Sequence, residues 1–390
     1  MERFSTFSEI LSSYLNESQT KDFMRKSEVT FKQASLTGEI PILNPQFLIS
    51  RRIQIENLLT ITEKELPKIK YVDLYLYLSK FSINIGLSNL AEDILSSLIK
   101  KIGNKEKLKD YVATAYFHLG EIYFRQGYWK KSEKNISIAR KIFNEEKNRW
   151  GILRCDNLSG ALHGEKGNLT KALNNFIKSK KNINPKKEKY VYSMIESNIG
   201  ILYQALHKFD ESILYLNRAL VYYEQIKDQV RISELKYNIA NLFYLKKEYT
   251  LANSKLDEAI RCAAEAENLS LLSLCFVTKA DTLVNLKDLD MANAVIDMAM
   301  EISTKINDRL SIAEVYKITG KIELEICHFD SAENFLLTSF RLNKELENLY
   351  NLAETCLSLA KVYEIKHDSK QSNRFKKLAA QYWKSFESVT

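Results

Sequence analysis

A chain of 390 residues with 45% hydrophobic and 27% charged side chains has the composition of a folded protein, which excludes wholesale disorder and collagen-like repeats. Only 4 Pro and 11 Gly occur. That is too few turn formers for a multi-stranded sheet protein of this length, so the chain is expected to be almost wholly helical. The net charge is +8. No stretch approaches eighteen uncharged apolar residues, and the N-terminus has no basic segment followed by an apolar one. Neither a membrane span nor a secretory signal is therefore expected. Cys155, Cys262, Cys275, Cys327 and Cys356 are odd in number, scattered and free of C-x-x-C pairs. They read as reduced thiols filling helix interfaces of a cytoplasmic protein.

Residues 1–65 open the chain. Phe7 to Leu15 reads as a helix. The run Asp22-Phe23-Met24-Arg25-Lys26-Ser27-Glu28-Val29-Thr30, followed by Gly38-Glu39-Ile40-Pro41, resembles part of a lambda-repressor-like helix-turn-helix. The stretch between the two is about three residues short of a recognition helix. Lys and Arg number 8 against 9 Asp and Glu over this span, whereas DNA-binding modules carry a positive face. The segment is expected to be a helical cap or a dimerisation element of a homodimer, with a divergent DNA-binding head as the alternative. Residues 66–105 follow as a degenerate first repeat, with Leu74, Leu76, Leu78, Phe81 and Ile85 on one helix and Leu90, Ala91, Ile94, Leu95 and Leu98 on the next.

From residue 106 to 386 the chain repeats every forty residues. Gly120, Gly160, Gly200, Ala240, Ala280, Gly320 and Ala360 form one column of small residues. Ser132, Ala172, Ser212, Ala252, Ala292, Ala332 and Ser372 form a second, and Ala139, Ser179, Ala219, Ala259, Ala299, Ser339 and Ala379 a third. A fourth column is large and apolar: Trp129, Leu169, Phe209, Tyr249, Leu289 and Phe329, ending in Ser369. Small residues let two helices approach closely, and the apolar residue between them starts the second helix. Spacings of three and four, as in Ile199, Leu202, Tyr203 and Leu206, are helical. Neither helix of a pair can bury its stripe alone, so the pairs must stack. Asn148, Asp228, Asn268, Asp308 and Asn348 recur at the joints, where their side chains can cap helix N-termini; Glu188 and Pro185 mark the one irregular joint.

These residues resemble a known repeat. Asn198-Ile199-Gly200-Ile201-Leu202-Tyr203, Phe209-Asp210-Glu211-Ser212, Leu216 and Ala219-Leu220 look like a tetratricopeptide repeat (TPR). The forty-residue period is similar to that of kinesin light chains, MalT-like regulators and Rap-type bacterial TPR regulators. The resemblance implies an all-α, right-handed TPR superhelix of about seven helix hairpins with flanking helices. The stretch from Phe375 to Phe386 would form the terminal cap. It also implies a concave groove lined by the first helix of each pair.

Little in the sequence suggests catalysis. His118, His163, His207, His328 and His367 form no metal-ligand spacing, and no cofactor, no metal and no enzymatic activity is expected. In the resembled families the residues three before and one after the small position face the groove, with further groove positions about one turn on. Transferred here, they are Phe117, Glu121, Arg125, Asn157, Gln204, Tyr237, Asn241, Tyr244, Asp281, Asn285, Lys317 and Lys321. Asn amides at such sites can hold the backbone of an extended peptide, and Lys317 with Lys321, one turn apart, can hold a carboxylate. Residues 100–190 carry 22 Lys and Arg against 9 Asp and Glu. The densest part, Lys178, Lys180, Lys181, Lys186, Lys187 and Lys189, reads as a dock for an acidic protein segment. The expected function is that of a cytoplasmic regulator or scaffold binding a protein or peptide ligand, with peptide-sensing transcription control as the alternative and DNA a partner only in that case.

Overall fold

The computed structural model describes residues 7–27, 45–103, 108–165, 169–181 and 183–389, and apart from one short 3₁₀ turn every regular element among them is an α-helix. Helices α1 (Phe7–Tyr14), α2 (Glu17–Ser27) and α3 (Pro45–Glu65) lead into the hairpin of α4 (Lys68–Asn84) and α5 (Ser88–Ile102). The helix-turn-helix expectation falls on α2 as far as Ser27; the remainder, including Gly38 to Pro41, lies outside the described residues. Seven hairpins follow. They are α6 (Lys109–Arg125) with α7 (Trp129–Glu145), α8 (Arg149–Glu165) with α9 (Leu169–Lys181), α10 (Lys189–Ala205) with α11 (Phe209–Gln225), and α12 (Gln229–Leu245) with α13 (Tyr249–Glu265). Then come α14 (Leu269–Leu286) with α15 (Leu289–Lys305), α16 (Arg309–Glu325) with α17 (Phe329–Glu345), and α18 (Leu349–Ile365) with α19 (Ser369–Val389).

The helices pack into two compact units. Unit 1 comprises Met1–Phe124, Trp129–Asp156 and Ala263–Ser270, and unit 2 comprises Arg125–Tyr128, Asn157–Cys262 and Leu271–Thr390. In each, the small-residue columns lie at helix crossings. A Cβ on Gly120 would stand 2.9 Å from Ile136, and one on Gly200 2.8 Å from Leu216. One on Gly320 would stand 2.6 Å from Leu336. Ala240, Ala280 and Ala360 are buried, as are Ser132, Ser212, Ala252, Ala292 and Ala332 of the second column. Ser132 adds a hydrogen bond, donating to the Gly120 carbonyl at 2.8 Å.

The turns repeat as strictly as the helices. Lys147, His207, Lys227, Lys247, Glu267, Lys287, Asn307, Cys327, Glu347 and His367 all have positive φ, most of them at twenty-residue intervals. Each stands where a left-handed residue closes a Schellman motif: Lys208 N donates to Tyr203 O (2.8 Å) and His207 N to Gln204 O (3.0 Å). At several joints between hairpins the next residue then caps the following helix with its side chain. Asp228 accepts from Arg231 N, Asp308 from Ser311 N and Asn348 from Asn351 N. Glu188 makes no such side-chain cap, and in the same joint α9 stops four residues short of its counterparts.

Helix α14 is, among the described residues, the one stretch long and apolar enough to cross a membrane. It is 72% buried inside the fold and carries Lys279 and Asp281 near its middle.

Candidate functional site

The first helices of successive hairpins touch at fixed offsets, and their polar side chains meet there. In unit 2, Tyr244 on α12 donates its hydroxyl to Asp281 Oδ2 on α14 at 2.6 Å. Lys321 on α16 donates to both Asp281 oxygens at 3.1 and 3.0 Å. Burial alone would raise the Asp281 carboxyl, but Lys321, the Tyr244 hydroxyl and Lys317 outweigh it and hold the carboxyl below its ordinary range. Burial together with the facing Asp281 pushes the Tyr244 phenol up. Lys317, one turn before Lys321, pairs with Glu314 at 2.8 Å and reaches Asn351 Oδ1 on α18 at 3.4 Å. Against the downward pull of burial, Glu314, Asp281 and Glu354 hold its ammonium above the ordinary lysine value. Every charge in this cluster has a partner.

A second polar surface of unit 2 lies on α8, α10 and α12. Asn157, Ser197, Asn198, Arg231, Glu234 and Asn238 surround a concavity of about 50 Å³, with Tyr223 and Met194 also in its lining. Asn198 donates its amide to Asn157 Oδ1 and to Met194 O at 2.8 Å, while Arg231 pairs with Glu234 at 2.8 Å. Ile201 stands at the edge, 38% exposed. An amide that donates and accepts can serve both faces of a peptide group.

Unit 1 has its own cluster. Lys80 on α4 pairs with Glu121 on α6 at 2.8 Å, and His118 Nδ1 lies 2.6 Å from the other Glu121 oxygen. Burial would raise the Glu121 carboxyl, yet Lys80, His118 and Arg154 together hold it well below its ordinary value. Burial depresses the His118 pKa, so the neutral ring donates from Nδ1 to the carboxylate. Arg154 on α8 lies over the Phe117 ring, 4.2 Å from its centroid.

The sequence-derived groove residues are divided by this geometry. Phe117, Gln204, Tyr237, Asp281 and Lys317 are all less than a tenth exposed. They are wedged between neighbouring helices rather than presented to solvent: for Phe117, Tyr237 and Lys317 the residue three before the small position meets a residue of the next first helix, and Asp281 is covered by Tyr244 and Lys321. Tyr237 thus contacts Thr278 Oγ1 at 3.2 Å. Glu121, Asn157, Asn241, Tyr244 and Lys321 are half-buried, and Asn285 is exposed with its amide donating to Asp281 O at 2.7 Å. Arg125 ends α6 close enough to Asp308 for its charge to oppose the burial that raises that carboxyl. The expected Lys317–Lys321 carboxylate clamp is already occupied by the protein's own Asp281 and Glu314. Sequence reasoning missed Lys80, His118, Arg154, Asn198 and Asn238. Extending the helical stripe one further turn toward the N-terminus would have reached Arg154.

Among the basic residues, Lys180 pairs with Glu196 at 2.9 Å and lies over Tyr192 and Tyr215. Lys189 donates to Gln225 at 2.8 Å and lies over Tyr222. Lys181, Lys186 and Lys187 are exposed, and Lys178 lies on α9. The tyrosines come from neighbouring helices and are invisible in the local sequence.

No protein-family model and no curated protein sequence matches the chain. Solved structures do. The Rap conjugation gene regulator of the plasmid pLS20, solved in complex with the Phr* peptide, is 13% identical. The match covers 88% of this chain and 97% of that one, with a TM-score of 0.59. Aspartyl phosphate phosphatase F from Bacillus subtilis is 16% identical over 96% of this chain and 94% of that one, TM-score 0.44. BtubC (BKLC) from P. vanneervenii is 13% identical over 56% and 90%, TM-score 0.44. By fold, this chain is a TPR-type all-α solenoid similar to the Rap conjugation regulator.

Proposed function

We propose that the chain is a non-catalytic regulator that binds an extended peptide on the face of its first helices. The observation that carries this reading is the amide-lined concavity of unit 2, where Asn157, Asn198 and Asn238 stand on three successive first helices beside the apolar Ile201. Side-chain amides spaced along a row of helices can replace the water on peptide N–H and C=O groups without fixing side-chain identity. A partly exposed isoleucine can then take one apolar side chain. The fold match to a regulator solved with a bound peptide supports the same class of ligand.

The test is co-purification. The full chain is isolated from its native cell extract, and the small peptides that accompany it are identified by mass spectrometry, beside an Asn157→Ala, Asn238→Ala double variant. Wild type is expected to carry specific peptides and the variant to lose them about tenfold or more, the effect of removing two or more hydrogen bonds. The variant must keep the helical signal of wild type. Equal recovery from both proteins would overturn the assignment of this surface.

A further inference from the structure

Five charged side chains are at least nine-tenths buried among the described residues: Arg51, Arg154, Glu196, Asp281 and Lys317. Four have an ion-pair partner. Arg51 pairs with Glu267 at 3.4 Å, Glu196 with Lys180 at 2.9 Å, Asp281 with Lys321 at 3.0 Å and Lys317 with Glu314 at 2.8 Å. Arg154 has none. It is 7% exposed, makes no hydrogen bond or ion pair with the described residues, and rests its guanidinium over Phe117 at 4.2 Å. None of its nitrogens is sealed from solvent without a partner.

The surroundings sharpen the imbalance. Glu121 is an acid on which Arg154 acts through its charge, and its two oxygens are taken by Lys80 at 2.8 Å and His118 at 2.6 Å. Asp156, two residues along α8, is held by Arg140 at 2.6 Å. The cluster of Lys80, Glu121, His118 and Arg154 therefore holds two fixed cations against one carboxylate. A buried cation without an anion is unfavourable unless something supplies the anion. The Phe117 face offsets part of that and holds the guanidinium in place.

We infer that Arg154, stacked on Phe117, is the anchor of a carboxylate-binding subsite on the first-helix face of unit 1. The carboxylate would come from a peptide, as its C-terminus or as an Asp or Glu side chain. Both present the planar two-oxygen group that a guanidinium fork binds in a bidentate manner. The peptide source rests on the reading given under Proposed function; the anion site itself does not.

The experiment uses the full chain in two arms. In the first, thermal midpoints of wild type, Arg154→Met and Arg154→Lys are followed during titration with acetate, against chloride at equal ionic strength. The inference expects a saturable rise in wild type and a weaker one in Arg154→Lys, which keeps the charge but loses the fork. Arg154→Met should show none, with a ligand-free midpoint at or above that of wild type because the uncompensated charge is gone. A midpoint for Arg154→Met well below wild type would mark Arg154 as a packing residue, and identical acetate responses would mark it as inert; either result overturns the inference. In the second arm, retention is compared for three random pentapeptide pools: free-acid without Asp or Glu, amidated without Asp or Glu, and amidated with both. Retention of the first alone, lost about 10- to 100-fold in Arg154→Met as expected for a charge-assisted pair, assigns the terminal carboxylate. Retention of the third assigns the side chain. If all pools bind wild type and Arg154→Met alike, the subsite falls and the peptide reading stands. If no pool is retained while acetate still separates the variants, the subsite stands and the peptide reading falls.

Discussion

The two ionic clusters on the first helices use the same device and end in different states. In unit 2, Asp281 takes Lys321 and the Tyr244 hydroxyl while Glu314 takes Lys317, so every buried charge is matched by the protein itself. In unit 1, Glu121 takes Lys80 and His118, and Arg154 is left over a phenyl ring. The offsets between contacting residues are alike in both, 41 for Lys80 and Glu121 and 40 for Asp281 and Lys321. The backbone thus brings side chains together in the same way in each unit, and the residue types alone decide whether the contact locks neighbouring helices or leaves a charge to be met from outside. A closed cluster fixes helix register; an open one is where a solenoid can recognise something else.

The comparison breaks hardest at its carboxylates. Glu121→Gln takes from Lys80 its ion pair and from the already unpaired Arg154 the one carboxylate whose field acts on it, so a loss of about 3–5 kcal/mol is expected. Asp281→Asn leaves Lys321 unmatched while Glu314 still serves Lys317, and about 2–4 kcal/mol is expected. Urea midpoints of the two variants measure the difference, and a larger loss for Asp281→Asn would refute the view that unit 1 is the under-compensated cluster. Acid dependence adds a check of sign. Both carboxyls sit below their ordinary values in the folded chain. Their contribution is complete above the unfolded values of about 4 and is lost as pH falls through the folded ones. Wild type should therefore lose stability below about pH 4, and each variant should lose less over that window because part of the titrating contribution is gone.

The next effect in size concerns the glycines that set helix spacing beside each cluster. A Cβ at 320 would meet Leu336 Cγ at 2.6 Å and the Ala332 carbonyl at 3.2 Å, so side chain and backbone both resist. At 120 the near atom is the Ile136 Cγ1 at 2.9 Å, and the backbone stands off at 3.6 Å. Gly320→Ala should cost about 1–3 kcal/mol. Gly120→Ala should cost less, about 0–1 kcal/mol, since only the stiff β-branched Ile136 side chain has to shift by a small amount and alanine recovers up to about 1 kcal/mol of helix propensity. Equal losses at both sites would show that the two hairpins are equally tight.

What the sequence disclosed follows from these spacings. The glycine and alanine columns and the joint caps Asp228, Asp308 and Asn348 were legible, because each is forced by a contact that recurs at one period. The clusters were not. Lys80 lies where the repeat phase is lost, and its pairing with Glu121 spans two hairpins. Arg154 lies one turn outside the stripe transferred from the TPR resemblance. The stripe puts Phe117, Tyr237 and Lys317 on an open surface because it identifies a face but not how far the next helix overlaps it. The left-handed turn positions were equally silent. Of the described left-handed turns within and between the seven hairpins, the one that uses glycine is Gly127, with φ 72, and the others hold lysine, histidine, glutamate, asparagine or cysteine.

Those turns give the smallest effect and the finest test of whether the units are built alike. Lys147 in unit 1 has φ 55 and Lys227 in unit 2 has φ 56. Both side chains are exposed, and both turns close the same way, with Asn148 N donating to Phe143 O at 2.8 Å and Asp228 N to Tyr223 O at 3.0 Å. A lysine Cβ is strained at positive φ and glycine is not, while glycine gives the unfolded chain more freedom. The net gain expected for Lys147→Gly and for Lys227→Gly is about 0.5–1 kcal/mol each. Because the backbone angles agree so closely, the two gains should agree as well, and they should add in the double variant since the turns share no partner. A gain at Lys227 with a loss at Lys147 would mean that the lysine side chain in unit 1 is engaged by something bound there, which would tie the turn to the open cluster rather than to the backbone it closes.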